Sequence, residues 1–385
     1  MAIEALVGAV VFDGERRHER SAVLLDGDRI AGIVDVDAVP RDARVTTLAG
    51  GWLAPGFVDA QVNGGGGALF NAMPTVEALD TIAAMHRRYG TTALLPTLIT
   101  ATPELTQRAI EAAAQAVRTV PGIAGLHLEG PHLAPARRGA HREEWMRPLG
   151  DDDVDRLVAA KARVGTLMVT LAVERASPAR IRRLADAGIV VSIGHSDASY
   201  DDAMRAFEAG ATGVTHLYNA MSPLRHREPG LVGAALDCGT ACCGIIVDGQ
   251  HVHPAALRAA LRGKRGPGRL FLVTDAMPTV GAAGDRFELD GRVVTRAAGR
   301  LTLDDGTLAG SDLDMATAVR NAAQTLEQPV EEALRMASLY PARLLGIDAH
   351  HGRIAAGRPA DLVYLDDDLQ VQGVWLGGRA GAAGD

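Results

Sequence analysis

Lysine is almost absent from this chain. Only Lys161 and Lys264 occur among 39 basic residues in 385 positions, and both precede rather than end an apolar strand-like run. An imine-forming lysine therefore has no candidate. Cysteine is scarce as well. Cys238, Cys242 and Cys243 are too few for a disulfide framework and match no zinc knuckle, so they read as small buried residues near a strand. Basic charge is not in surplus: the formal net charge is -8, which excludes a nucleic-acid footprint but leaves room for a small anionic substrate held by local positive charge. No apolar run is long enough to span a bilayer. Met1–Gly14 lacks the basic and apolar segments of a signal peptide, and the expected location is the cytoplasm.

What is present is globular: 47% hydrophobic and 22% charged residues, ample for a large core. The first fifty residues read as short strands (Ala5–Phe12, Ser21–Leu25, Arg29–Val34) broken by Asp13-Gly14 and Asp26-Gly27-Asp28 turns. Gly352–Trp375 has the same texture. The two ends, 1–53 and 350–385, are expected to pair as one small β-sandwich. Between them, over 54–349, eight apolar runs alternate with helical patterns: Gly56–Val62, Thr92–Pro96, Ile123–Leu128, Leu167–Val173, Ile189–Gly194, Gly213–Tyr218, Cys243–Val247 and Leu270–Thr274. Amphipathic stretches such as Thr75–Tyr89, Pro103–Thr119, Pro178–Ala187 and Tyr200–Ala209 separate them, and a helical region over Met315–Leu345 follows the eighth. Strict βα alternation implies a parallel sheet, and eight units imply an α/β fold of the closed (β/α)8, TIM-like kind. A doubly wound open sheet is the competing architecture. The Gly64-Gly65-Gly66-Gly67 run after strand one lacks the spacing of a dinucleotide or phosphate loop and reads as a place of close backbone approach.

A (β/α)8 barrel carries its chemistry at the C-terminal strand ends, and the polar residues cluster there. Strand three ends in Glu129, strand five in His195, strand six in His216 and strand eight in Asp275. One carboxylate and two imidazoles at one mouth suit a three-ligand catalytic metal with an open position. Asp275 suits proton transfer to and from an attacking water, although an aspartate there would equally N-cap the segment after Pro278. A binuclear centre bridged by a carboxylated lysine would need a lysine after strand four, where the chain reads Thr170-Leu171-Ala172-Val173-Glu174. A nucleophile elbow would need GxSxG, and Gly194-His195-Ser196 does not supply it.

These segments resemble the N-acetylglucosamine-6-phosphate deacetylases of the amidohydrolase superfamily. The likeness covers nearly the whole chain: Pro55-Gly56-Phe57-Val58-Asp59, His127-Leu128-Glu129-Gly130-Pro131, Gly139-Ala140-His141, Gly194-His195-Ser196-Asp197-Ala198, Thr215-His216-Leu217-Tyr218-Asn219-Ala220-Met221, His226-Arg227-Glu228-Pro229-Gly230, Asp248-Gly249-Gln250-His251, Thr274-Asp275-Ala276-Met277, Leu308-Ala309-Gly310-Ser311 and Gly357–Val363. The resemblance implies hydrolysis of the acetamide of N-acetylglucosamine 6-phosphate. It implies Glu129, His195 and His216 as ligands of a divalent metal, with zinc expected, and Asp275 as general base and then acid. His141 would orient or polarise the amide. Ala140, Asn219 and Ala220 would contact the sugar, and Leu308, Ala309 and Gly310 would close over the acetyl end. Arg227 and His251 would hold the phosphate, reaching in from the neighbouring subunit of a homodimer; without the family, Arg225-His226-Arg227 reads equally as a solvated basic loop. His253 is expected to be structural. Many amidohydrolases carry His-x-His at the end of strand one, where this chain has Gln61-Val62-Asn63. Amides replace imidazole poorly on a transition metal, so one ion per subunit is expected. The alternatives are a deacetylase of another N-acyl sugar phosphate, such as N-acetylgalactosamine 6-phosphate, and an inactive barrel used for binding, which would be expected to have lost one of the four central residues.

Overall fold

The eight apolar runs become eight parallel strands in chain order: Phe57–Val62, Thr91–Ile99, Leu126–Glu129, Leu167–Leu171, Val190–Ile193, Gly213–Val214, Cys242–Ile245 and Leu270–Leu272. This is a computed structural model, and it describes residues 3–382. Most strand positions are buried on both faces, as a barrel wall enclosed by helices requires. The last seam, between strands eight and one, is closed at the mouth by a bridge between Val62 and Ala276 and by Asp275 N–H donating to the Gln61 carbonyl at 3.0 Å. Lower down the seam a side chain replaces the ladder: Asp59 accepts from the Thr274 hydroxyl at 2.6 Å and from its backbone N–H at 3.3 Å.

The helices begin where the sequence places caps. Thr75, Thr102, Ser177 and Ser199 each accept from a backbone N–H of the first turn, and proline follows Thr102 and Ser177 directly. Inside the barrel, beneath the mouth, Thr97, His127, Thr170, Thr215 and Ser192 form a continuous hydrogen-bonded chain with links of 2.6–3.2 Å. Every buried polar group in that layer has a partner, which makes it a rigid floor. Cys238 and Cys243 are buried and unpaired, in keeping with their reading as small core residues.

The chain ends build two sheets. One is four-stranded (Arg29–Asp35, Ser21–Asp26, Glu4–Val7, Arg44–Thr47). The other is six-stranded (Arg379–Ala382, Val371–Leu376, Leu362–Leu365, Trp52–Pro55, Val10–Phe12, Arg17–His18). Leu6, Val23 and Leu25 of the first pack with Leu53, Leu362 and Trp375 of the second, giving the expected sandwich its own core. Among the described residues, no helix is long and apolar enough to cross a membrane.

One element was not anticipated. Between strand eight and the helix Met315–Gln324 lies an antiparallel four-stranded sheet: Arg286–Leu289, Arg292–Ala297, Arg300–Thr302 and Leu308–Ser311. Its first two turns are two-residue hairpins, Asp290-Gly291 (φ 50° and 75°) and Ala298-Gly299 (φ 49° and 76°). The Asp-Gly pair was a legible hairpin signal. The sheet packs Leu289, Val294, Leu301 and Ala309 against Leu69, Ile99 and Met277, and so sits over the barrel mouth.

Candidate active site

Glu129 ends strand three, and His195 and His216 each lie two residues beyond strands five and six. All three are buried, at 2%, 4% and 5% exposure. His195 and His216, like Asp275 beyond strand eight, have positive φ (48°, 31° and 53°). Non-glycine residues enter that region at a cost, and here it turns each side chain from the strand path into the mouth. His195 Nε2 stands 3.2 Å from Glu129 Oε1 and 3.1 Å from His216 Nε2, and His216 Nε2 stands 3.0 Å from the same oxygen.

Second contacts determine what these atoms are. His195 Nδ1 lies 2.8 Å from the Arg137 carbonyl. A carbonyl only accepts, so Nδ1 carries a proton, and in the neutral ring Nε2 is left with the lone pair, the form in which it can ligate a metal. A bare nitrogen, a carboxylate oxygen and a second imidazole nitrogen within 3.2 Å of one another repel unless positive charge lies among them. The same demand appears in the titration of the groups. Burial alone would raise Glu129, but His195 and His216 hold it well below the usual carboxylate range. Burial alone would lower His216, but Glu129 raises it. The donor set fits a divalent cation of the nitrogen- and oxygen-binding class.

His141 has the opposite tautomer. Its Nδ1 accepts from the Thr100 backbone N–H at 3.3 Å and lies 2.9 Å from the Thr100 hydroxyl. Its proton is therefore on Nε2, which faces the site 4.0 Å from Glu129 Oε2. Burial and the neighbouring His195 push its pKa well below normal, which keeps the ring neutral. Glu129, His141 and His195 also bring ligand atoms within 4.8 Å of one another, but a protonated Nε2 is a donor and not a ligand.

Asp275 faces the same centre. Asn63 Nδ2 donates to its Oδ1 at 2.7 Å, and Gln61 Nε2 lies 3.2 Å from that oxygen and from both oxygens of Glu129. The two amides that stand in place of His-x-His thus serve as donors to the carboxylates, with Gln61 bridging Glu129 and Asp275. Burial and the charge of Glu129 push Asp275 up to about 6. Asp275 caps no helix: the helix that follows is capped by Asp314, beyond the inserted sheet.

A cavity of about 350 Å³ opens over these groups. Its wall includes Ala140, His141, Asn219, Ala220, His251, Leu308 and Gly310. Ala309 lies behind the wall, fully buried. His251 belongs to the cavity of its own chain, where Asp248 Oδ2 anchors its Nδ1 at 2.6 Å. Strand seven ends at the same mouth as the others, which places His251 on the wall of its own chain's cavity. Arg227 is outside the cavity, on an exposed loop with Leu224, Arg225 and His226, and among the described residues its guanidinium has no partner. His253 is structural, as expected: it caps the helix Pro254–Gly263. The sequence reading missed Arg137, Thr307 and Leu289 as wall residues. The hairpin turns could have pointed to the last two. Nothing in the local sequence marks Arg137.

The Amidohydrolase family profile matches residues 52–381. The chain is 47% identical to an N-acetylgalactosamine-6-phosphate deacetylase of Shewanella sp. (strain ANA-3), over 97% of this chain and 94% of that one. It is 35% identical to an N-acetylglucosamine-6-phosphate deacetylase of Haemophilus influenzae, over 97% and 98%. Among solved structures, N-acetylglucosamine-6-phosphate deacetylase from Pasteurella multocida superposes with a TM-score of 0.95 at 36% identity, covering 99% of this chain and all of that one. A Mycobacterium smegmatis deacetylase variant in complex with N-acetyl-D-glucosamine-6-phosphate superposes with a TM-score of 0.91 at 35% identity, covering 99% of both chains.

Proposed function

The chain belongs to the amidohydrolase family, and on that premise we propose that it hydrolyses the acetamide of N-acetyl-D-glucosamine 6-phosphate to D-glucosamine 6-phosphate and acetate. The observation that carries this reading is the meeting of Glu129, His195, His216 and Asp275 at one barrel mouth. Near-full-length likeness to deacetylases of this substrate class supports it.

Glu129 Oε1 and the Nε2 atoms of His195 and His216 would hold one divalent ion per subunit, with zinc favoured by the nitrogen-rich donor set. When bound, that ion supplies positive charge that polarises the amide and lowers the pKa of water. His141, neutral with its proton on Nε2, donates to the amide oxygen as charge builds there. Asp275 takes a proton from the attacking water and delivers it to the leaving nitrogen. Its elevated pKa suits both halves of that task. Gln61 and Asn63 hold its oxygen in place. Asn219 and the backbone around Ala140 and Ala220 position the sugar, while Leu308 and Gly310 enclose the acetyl group beneath the inserted sheet, with Ala309 packed behind them.

His251 would offer Nε2 to the phosphate from within the chain. Arg227, exposed and without a partner among the described residues, would supply its guanidinium to the phosphate of a neighbouring subunit in a homodimer. The sandwich of 1–53 with 350–385 then forms one unit and the barrel of 54–349 another. Three unpaired cysteines suit a reducing, cytoplasmic setting.

The N-acetylgalactosamine epimer is the second reading, favoured by the 47% identical Shewanella relative. Acetate release from both sugar phosphates and from unphosphorylated N-acetylglucosamine, with and without chelator, tests the set. Chelator-sensitive turnover of a 6-phosphate is expected, with far less on the unphosphorylated sugar. Metal-loaded protein that releases acetate from neither phosphate would overturn the proposal. Arg227→Ala should raise KM for the phosphate with little change on the unphosphorylated sugar.

A further inference from the structure

His195 owes its tautomer to one carbonyl, and that carbonyl is itself braced. Arg137 lies in the short helical turn Pro135–Arg137, whose backbone is tied by Arg137 N–H to the Ala134 carbonyl at 2.9 Å and by Ala134 N–H to the His195 carbonyl at 3.0 Å. The Arg137 guanidinium reaches Asp197 Oδ1 through Nε at 2.9 Å and Nη2 at 2.7 Å. Asp197 is in turn anchored to the end of strand four: its N–H donates to Glu174 Oε1 at 2.7 Å, and the adjacent Ser196 hydroxyl donates to Glu174 Oε2 at 2.5 Å. A closed circuit therefore joins three strand ends, running from Glu174 to Asp197, to the Arg137 side chain, to the Arg137 carbonyl and to His195 Nδ1. If the 135–137 turn drifts, the Nδ1–H loses its acceptor, and the ring can rotate or move its proton to Nε2, which closes the lone pair.

We propose that Arg137 and Asp197 form a positioning pair that holds the His195 imidazole in its metal-ligating tautomer and orientation. The inference rests on His195 being a metal ligand. It differs from an ordinary surface ion pair in what it predicts. The side chains are 32% and 51% exposed, so the pair should matter little to folding stability. Outer partners of metal-bound histidines typically govern affinity by 10- to 100-fold.

Asp197→Ala is the informative variant, because Asp197 is not part of the cavity wall whereas Arg137 is. Zinc dissociation constants are measured by competition with a chromophoric chelator, alongside thermal midpoints of the metal-free proteins. Asp197→Ala is expected to weaken zinc binding by roughly 10- to 100-fold with an unchanged midpoint and KM. Asp197→Asn, which keeps an acceptor for the guanidinium, should restore most of the affinity. Arg137→Met should match Asp197→Ala in zinc affinity alone, because Arg137 also lines the cavity, and the double variant should bind zinc no more weakly than either single one, since they break one circuit. Zinc affinity of Asp197→Ala and Arg137→Met within twofold of the parent overturns the positioning pair. A parent protein that binds no divalent ion overturns the ligand reading itself, and the pair with it.

Discussion

The backbone N–H of Thr100 donates to Nδ1 of His141 at 3.3 Å, and this hydrogen bond decides which face of the imidazole gives a proton. Because Nδ1 accepts, Nε2 is a donor aimed at the site. His141→Ala should therefore reduce kcat by ~10²–10³, the usual cost of losing one oxyanion donor, while metal content measured by elemental analysis stays at the parental level. Loss of the metal together with activity would instead make His141 a ligand.

Asp275 must be ionised to accept a proton. Burial and the Glu129 charge raise its pKa to about 6, and a bound cation would draw it down again. Acetate release should hold steady above neutrality and fall as pH drops through an acid limb at or below about 6. Asp275→Asn should cost at least ~10²–10⁴ in turnover with metal retained. Full activity in that variant would remove Asp275 from the mechanism.

Gln61 and Asn63 present amide donors where a second metal would need ligands. Dialysed protein should keep one equivalent of firmly held metal. Gln61→His with Asn63→His should add a second equivalent on titration, read by elemental analysis. Two firmly held equivalents in the parent would contradict this assignment.

Asp59 lies fully buried beneath the site, and burial pushes its carboxyl up to about 7, against the lowering contact with Thr274. The unfolded chain ionises near the ordinary value of 3.8. Between these values the folded state holds the proton that the unfolded state has lost, so the contribution of Asp59 to stability is fullest below about pH 4 and is lost as pH rises toward 7. Asp59→Asn escapes that loss. Urea titrations of metal-free protein should show its stability relative to the parent growing by on the order of 2–4 kcal/mol across this window. A difference that does not change with pH would show that the raised pKa is wrong.

Gly310 has φ +65°, and a Cβ there would stand 2.6 Å from Met277 Cγ and 2.9 Å from the Asp275 carbonyl. Gly310→Ala should cost ~1–3 kcal/mol in denaturant unfolding. It should also lower kcat, because the strain falls on the backbone that carries Asp275. Parental stability and kcat would mean that the inserted sheet yields freely.

Much of this protein was determined by short-range sequence. Apolar runs spaced by amphipathic stretches specify a barrel, because each strand is buried on both faces and each helix on one. Glu129, His195, His216 and Asp275 were legible as a group because a barrel gathers its strand ends at one mouth wherever they lie in the chain. The inserted sheet was written in its Asp-Gly turn but lost between two stronger patterns. Tertiary structure alone decided the chemistry of each group. Thr100 lies 41 residues from His141, and Arg137 58 from His195. Those two contacts turn a proton of one imidazole toward the mouth and, in the neutral ring, a lone pair of the other. Closure of the barrel likewise put His251 on the wall of its own chain's cavity and left Arg227 outside it, although the family resemblance groups the two together. A residue's type limits which protons it can hold; the partner that folding brings to its other side determines which one it does.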